Sequence, residues 1–357
     1  MSPLKAHTPK HKIKENHSLE RTLLHEFGGA FIGCVISLVV MGGFTADPAY
    51  AQTAAKQLFG KKTAPANLQA RAIGSYAKGC LAGARALSID GPAWQAMRLS
   101  RNRNWGHPNL IAFIEKLAVD AKTYDGWNGL LVGDLAQPRG GPMISGHASH
   151  QIGLDADIWL RPMPDRRFTR KEREEISAIS MLKKGTRTID PKKFTMAHFR
   201  LIKRAASTPG LARIFVHPGI KKALCDRAGS DRAWLRQVRP WYGHHYHFHI
   251  RMSCPAGSTG CKNQAPPPAG DGCGKELSWW LSDDPWTPKK PKKGAPKVKP
   301  KKKRQITLSD LPQACSAVLD AAPVTGLQNT SANPSRFAPS EPISQLFALP
   351  RSRPLQN

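Results

Sequence analysis

The sequence predicts a single α+β domain, with a mostly antiparallel central sheet flanked by helices. Two stretches of strict alternation, and the irregular helical periods around them, carry that prediction. In the first stretch Leu154, Ala156, Ile158 and Leu160 are apolar, while Asp155, Asp157 and Trp159 fall on the other face. This is the period of a half-buried strand. In the second, Tyr246, Phe248, Ile250 and Met252 share one face, and His245, His247, His249 and Arg251 share the other. Helical segments between and before these stretches come at uneven spacing and without internal repeat, unlike the regular strand–helix alternation of a parallel sheet.

In chain order, residues 1–51 read as an export signal. Lys5, Lys10, Lys12, Lys14 and Arg21 form a basic lead, residues 28–44 an apolar run, and Ala49-Tyr-Ala51 a small-x-small site. Cleavage is expected after Ala51. The run is short for a spanning helix, which needs about 20 apolar residues. Residues 52–283 form the domain, beginning with a polar lead-in over 52–72. Leu110–Thr123 is apolar at 110, 111, 113, 114, 117 and 118, one face of an amphipathic helix. Leu130–Leu135 reads as a strand, and Pro138-Arg-Gly-Gly-Pro142 as the loop that feeds the first alternating stretch. Phe168–Leu182 reads as a charged helix with Thr169 as N-cap and Glu172 as its capping-box partner. Thr195 opens another helix that ends near Ala206. A short strand over 213–216 and a short helix over 220–226 follow.

After the domain, residues 284–305 are a Lys/Pro-rich linker, extended and self-repelling. Residues 306–321 read as a segment returning to the domain, and 322–357 as a disordered Pro/Ser/Asn-rich tail. A formal charge of +29 over 357 residues suggests an anionic partner. Its densest part is the linker, where proline interrupts any regular basic face. The linker is therefore either a solvated spacer or a weak contact with anionic envelope surfaces. Export, and the confinement of the densest charge to a linker, argue against nucleic acid as the partner. Export also alters the meaning of cysteine. Without Cys34, which lies in the signal, Cys80, Cys225, Cys254, Cys261, Cys273 and Cys315 remain. An even set in an exported chain reads as disulfides whose pairing the spacing leaves open, and no Cys-x-x-Cys metal pair exists.

The chemistry sits on the polar faces of the two alternating stretches. The first supplies His147, His150, Asp155 and Asp157, and the second His244, His245, His247 and His249. Imidazole and carboxylate are the donors of a catalytic zinc, which takes three protein ligands and keeps one position for water. A lone His-x-His is common on solvated strands. Two such faces in one chain, each apolar beneath, give the metal reading its weight. His150 precedes Gly153, where a turn can swing it over Asp157.

His150-x6-Asp157 followed by His247-x-His249 resembles the zinc peptidases grouped with lysostaphin, the D-alanyl-D-alanine dipeptidases and hedgehog. Within that group, Gly146-His-Ala-Ser-His-Gln-Ile-Gly-Leu-Asp155 and Tyr246-His-Phe-His-Ile-Arg251 resemble the penicillin-insensitive murein endopeptidases. So do Gly74-Ser-Tyr-Ala-Lys-Gly-Cys-Leu81 and Leu99-Ser-Arg-Asn-Arg-Asn-Trp-Gly-His107. The likeness runs from about Gly74 to about Asp283 and resumes near Cys315. It implies a zinc held by His150, Asp157 and His249, with His247 close to the bound water. It implies the disulfides Cys80–Cys315, Cys225–Cys273 and Cys254–Cys261. It also implies a periplasmic enzyme that hydrolyses D-alanyl to meso-diaminopimelyl cross-links in peptidoglycan without an acylated serine. The alternative is a zinc-bearing peptidoglycan-binding module without turnover, as hedgehog-type relatives show on this scaffold. The histidines beyond the ligand set argue against it.

Many relatives place an acid three residues before the His-x-His pair, where this chain has His244. His244 and His247 are the proton-handling candidates, since neutral imidazole suits general base chemistry. His147 is open to three roles: an orienting residue, an accessory ligand or a polar turn residue. Asp155 is either a ligand or the group that orients a ligand histidine. Arg101 and Arg103 either meet a substrate carboxylate or brace a loop. Trp127 and Trp159 read as packing, and Trp241 and Tyr242 as the aromatic wall of the cleft.

Overall fold

The two alternating stretches become neighbouring strands at the centre of a seven-stranded sheet. The computed structural model describes residues 53–287 and 304–325. The expected export signal, most of the basic linker and most of the tail lie outside the described residues.

The strands are β1 (Arg71–Ser75), β2 (Lys78–Ala82), β3 (Arg85–Ala86), β4 (Asp90–Gly91), β5 (Trp94–Ala96), β6 (Trp105–Gly106), β7 (Leu130–Val132), β8 (Asp155–Trp159), β9 (Leu211–Val216), β10 (Val238–Pro240) and β11 (His247–Met252). The large sheet runs β10-β9-β11-β8-β7-β5-β4, and β1-β2 and β3-β6 form separate pairs. Only β10-β9 and β7-β5 are parallel within the large sheet, so it is mostly antiparallel, as the alternation predicted. β11 pairs with β8 in a register that sets His249 opposite Asp157 and Arg251 opposite Asp155. The apolar faces of both strands, with Ala156, Ile158, Phe248 and Ile250 fully buried, form the floor of the main core.

Helix Pro108–Tyr124 covers that floor with the face read from the sequence: Leu110, Ile111, Phe113, Ile114, Leu117 and Ala118 are all buried. Pro108 occupies the first turn, where its missing N–H costs nothing. The His107 Nδ1 accepts the Asn109 N–H as an N-cap. Helix Met196–Ser207 packs beside it, and helix Pro218–Arg227 is capped in the same way by His217. Among the described residues no helix is long and apolar enough to cross a membrane.

Three local expectations are corrected. The charged helix expected over 168–182 spans only Arg170–Glu175, although its Thr169/Glu172 capping box forms. Beyond it the backbone is extended, because Ile176 O accepts from Arg98 Nη2, and Met181 N–H donates to His245 O. These tertiary bonds outweigh the helical propensity of the segment. The lead-in over 52–72 contains a helix, Ala55–Gly60, whose Phe59 is fully buried. The polar face expected on a half-buried β8 is closed to solvent, with Asp155 at 0% and Asp157 at 5% exposure.

A second core joins Ala55, Phe59, Ile73, Cys80, Leu311, Cys315 and Val318. Here the returning segment docks as helix Ala314–Asp320 against β2. The Arg139 guanidinium donates to Val318 O, Leu319 O and Ala321 O, taking up carbonyls at the end of that helix. Pairing continues to Val324, whose N–H donates to Pro65 O.

Candidate metal centre

The site is built where the loop before β8 folds back over the β8-β11 pair. His150 has φ +66°, a left-handed conformation that a residue with a side chain rarely adopts. Gly153 at φ +69° makes the second reversal, and a Cβ there would lie 2.4 Å from Leu81 Cδ2. The two turns return the His150 ring over Asp157, leaving 3.6 Å between His150 Nε2 and Asp157 Oδ1. From the neighbouring strand His249 Nδ1 approaches the same oxygen at 3.2 Å, and His247 Nε2 approaches it at 3.5 Å.

Asp155 organises this arrangement. Its Oδ1 accepts from His249 Nε2 at 2.9 Å and from Arg251 Nε at 2.7 Å. Its Oδ2 accepts the backbone N–H of His150 at 3.0 Å. One buried carboxylate thus ties both donor segments together and, by holding the His249 Nε2, turns its Nδ1 toward Asp157. The His150 Nδ1 is committed to Leu135 O at 3.1 Å, which leaves Nε2 as the free donor atom. Arg251 is in turn held against the Tyr76 ring, 4.1 Å from its centroid.

His147 stands to one side. Its Nε2 lies 3.1 Å from Asp134 Oδ2 and 3.4 Å from Asp157 Oδ2. Asp134 also accepts from Arg101 and Arg103 at 3.0 and 2.9 Å. Both arginines are therefore bound to a protein carboxylate, and Arg103 further donates to Ser145 O. His244 enters from the loop before β11, with φ +51° and its Nδ1 2.6 Å from Tyr242 O. Its ring centroid lies 4.8 Å from that of His247 and 5.9 Å from that of His249. His245 turns away and pairs with Ser180.

Electrostatics sort these groups. Burial pushes the His247 ring down to about 4 and the His244 ring down to about 3, so both are neutral near pH 7. Burial also opposes charge on His249, but Asp155 and Asp157 outweigh it and push that ring up to about 9. Asp157 is held well below the usual carboxylate range; burial opposes ionisation, and His247 and His150 overcome it.

His150 Nε2, Asp157 Oδ1 and His247 Nδ1 are buried without a hydrogen-bond partner. Buried polar atoms are normally paired. His150 Nε2 and Asp157 Oδ1 converge there with the Nδ1 of His249, a donor set that fits a divalent cation with nitrogen and oxygen affinity; the unpaired Nδ1 of His247 is the ring atom not directed at Asp157. His147, His150 and Asp157 also lie close enough together to hold a metal ion.

A family model described as penicillin-insensitive murein endopeptidase matches residues 72–320. The chain belongs to that family. It is 46% identical over 233 residues to the penicillin-insensitive murein endopeptidase of Haemophilus influenzae, an overlap covering 65% of this chain and 78% of that one. The protein of that name from Klebsiella pneumoniae is 42% identical over 260 residues, covering 73% and 90% of the two chains. That from Pectobacterium atrosepticum is 42% identical over 250 residues, covering 70% and 84%.

In this murein endopeptidase family member, Cys80–Cys315, Cys225–Cys273 and Cys254–Cys261 are bonded. The last closes the loop that follows β11. Trp127 is buried against His198, and Trp159 packs under Arg98. Trp241 and Tyr242 are exposed beside the site. Sequence reasoning missed Asp134 and Phe215. Asp134 follows a short strand and has no periodic partner to mark it. Phe215 belongs to an apolar strand, yet its ring lies 5.4 Å from that of His249.

Proposed function

We propose that this murein endopeptidase family member hydrolyses peptide cross-links of peptidoglycan, the D-alanyl to meso-diaminopimelyl bonds, using a zinc ion. His150 Nε2, Asp157 Oδ1 and His249 Nδ1 would hold the metal. The observation that supports this reading is the convergence of His150 Nε2 and His249 Nδ1 on Asp157 Oδ1, with the other nitrogen of each ring held by a second partner. His249 is preferred over His147 as the third ligand. Asp155 takes the Nε2 of His249 and leaves its Nδ1 facing Asp157, whereas the Nε2 of His147 is shared with Asp134, outside the set.

Bound zinc supplies a water acidified to a pKa of about 7 and polarises the scissile carbonyl. The chain's own groups manage the protons. His247 and His244 are neutral at physiological pH and lie side by side over the ligand strand. The His244 Nδ1–H donates to Tyr242 O, which leaves Nε2 as an acceptor. One ring takes the water proton, and the pair delivers a proton to the leaving amine. The buried floor of Phe248 and Ile250 keeps the ligands rigid. The Lys/Pro linker serves as a spacer outside this chemistry, and the periplasm is the compartment that fits a peptidoglycan substrate and the basic, then apolar, lead of residues 1–51.

The test is incubation of the mature chain with cross-linked muropeptide dimers, with and without a chelator, followed by zinc restoration. Cleavage to monomers that stops with chelator and returns with zinc supports the reading. Zinc-dependent binding without cleavage would instead establish a binding module.

A further inference from the structure

We infer that Trp241, Tyr242 and Trp279 form a glycan platform, on which sugar rings of the peptidoglycan strand stack while its stem peptide enters the metal site. The inference rests on the function proposed above. A continuous row of rings leads away from the ligand strand. Phe215 lies 5.4 Å from His249 and 5.9 Å from Trp241; Trp241 lies 5.8 Å from Trp280, and Trp280 lies 5.2 Å from Trp279. Phe215 and Trp280 are buried and back the row. Trp241, Tyr242 and Trp279 are 49, 42 and 46% exposed.

The exposed rings are braced rather than loose. Tyr242 Oη donates to Pro285 O at 2.7 Å, and Tyr242 packs on Trp280 and Trp286 at 4.8 and 5.1 Å. Trp286 Nε1 donates to Trp280 O at 3.0 Å. Single exposed apolar residues are ordinary, but a contiguous patch marks a contact surface. Packing does not require three aromatic faces left in water in one row beside the metal site.

Continuity with the metal site and the chemistry of the substrate select the occupant. Peptidoglycan is a glycan bearing short stem peptides. A pyranose ring offers a flat C–H face to an aromatic ring and keeps its hydroxyl and acetamide groups in water. An extended stem of four residues spans at most about 14 Å. A stem cut beside His249 is therefore long enough for its sugar end to reach past Trp241, two ring-to-ring steps away, and onto the exposed row.

The test compares affinities for a disaccharide-tetrapeptide and for the same tetrapeptide without sugar, measured by calorimetry on the zinc-loaded chain. Wild-type protein should bind the sugar-bearing form more tightly. Trp279→Ala should remove about five- to tenfold of that advantage, the scale of one aromatic stacking contact, with unchanged affinity for the bare peptide. Trp241→Ala, at a ring the stem itself passes, should weaken the bare peptide as well and the sugar-bearing form more. Cleavage of a sugar-free peptide dimer by wild type checks the proposed function separately, so failure of the platform and failure of the reaction give different results. A sugar advantage that survives both substitutions overturns the inference, as does equal weakening toward both ligands. A wild-type dimer, seen by light scattering, that Trp279→Ala dissolves would assign the face to a second copy and also overturn it.

Discussion

Asp155 accepts from His249 through one carboxylate oxygen and from the His150 backbone through the other. Two donor segments that lie far apart in the chain are thereby locked to one buried charge. Asp155→Asn should keep the fold but weaken the hold on the His249 Nε2, lowering zinc affinity by about 10- to 100-fold. Asp155→Ala should be worse. It leaves Arg251 buried beside no carboxylate, and breaking such a pair costs about 3–5 kcal/mol. Chelator competition and thermal melts on the two variants separate these effects; equal zinc affinity in Asp155→Asn and wild type would remove Asp155 from the account.

His244 and His247 are expected to act on protons. His244→Ala and His247→Ala should each retain zinc and lose turnover by about 10²- to 10⁴-fold. The double variant should lose less than the product of the singles, since the rings act as a unit. Metal analysis with single-turnover rates on muropeptide dimers checks this. A metal-free His247→Ala enzyme would make His247 a ligand, and a zinc-replete one with normal turnover would end its catalytic role.

Stability should fall on the acid side for a reason that does not need the metal. His107 and His217 cap helices through an unprotonated Nδ1, and burial pushes both down to about 4 from an ordinary 6.5. A depressed folded-state value gives stability that is present above 6.5 and is lost as pH falls through about 4. Protonation also removes the cap acceptor. His107→Asn keeps a capping oxygen but does not titrate, so its melting temperature should decline less than that of wild type between pH 6.5 and 4. Parallel declines would place the pH dependence elsewhere.

The Cys80–Cys315 bond clips the returning helix to β2 across a separation of 235 residues. Replacing both cysteines by serine should lower stability by about 2–5 kcal/mol. The metal site lies in the other core and should keep its zinc. Loss of zinc at temperatures where the variant remains folded would show that the two cores are coupled more tightly than their separate clusters suggest.

Much of the sheet and of the site could be read from the sequence, because both rest on period-two alternation. Asp157, His247 and His249 fall on one face of their strands by parity alone, and Ile158 and Phe248 on the other. What parity does not contain is pairing. That His249 stands opposite Asp157 follows from register, and register is decided by the whole core. Asp134 was illegible for a related reason: its partners Arg101, Arg103 and His147 come from two separate loops. The helix over 168–182 was read too long, since composition favours helix up to the point where Ile176 and Met181 find partners outside the segment. Phe59 was passed over because one aromatic in a polar stretch carries no period.

If His150, Asp157 and His249 hold the zinc, anomalous diffraction at the zinc absorption edge will locate it among them. In crystals of zinc-loaded protein, one peak is expected about 2.0–2.2 Å from His150 Nε2, from a carboxylate oxygen of Asp157 and from His249 Nδ1. A peak bound by His147 in place of His249 would contradict the assignment, as would full turnover in protein whose crystals show no peak at this position.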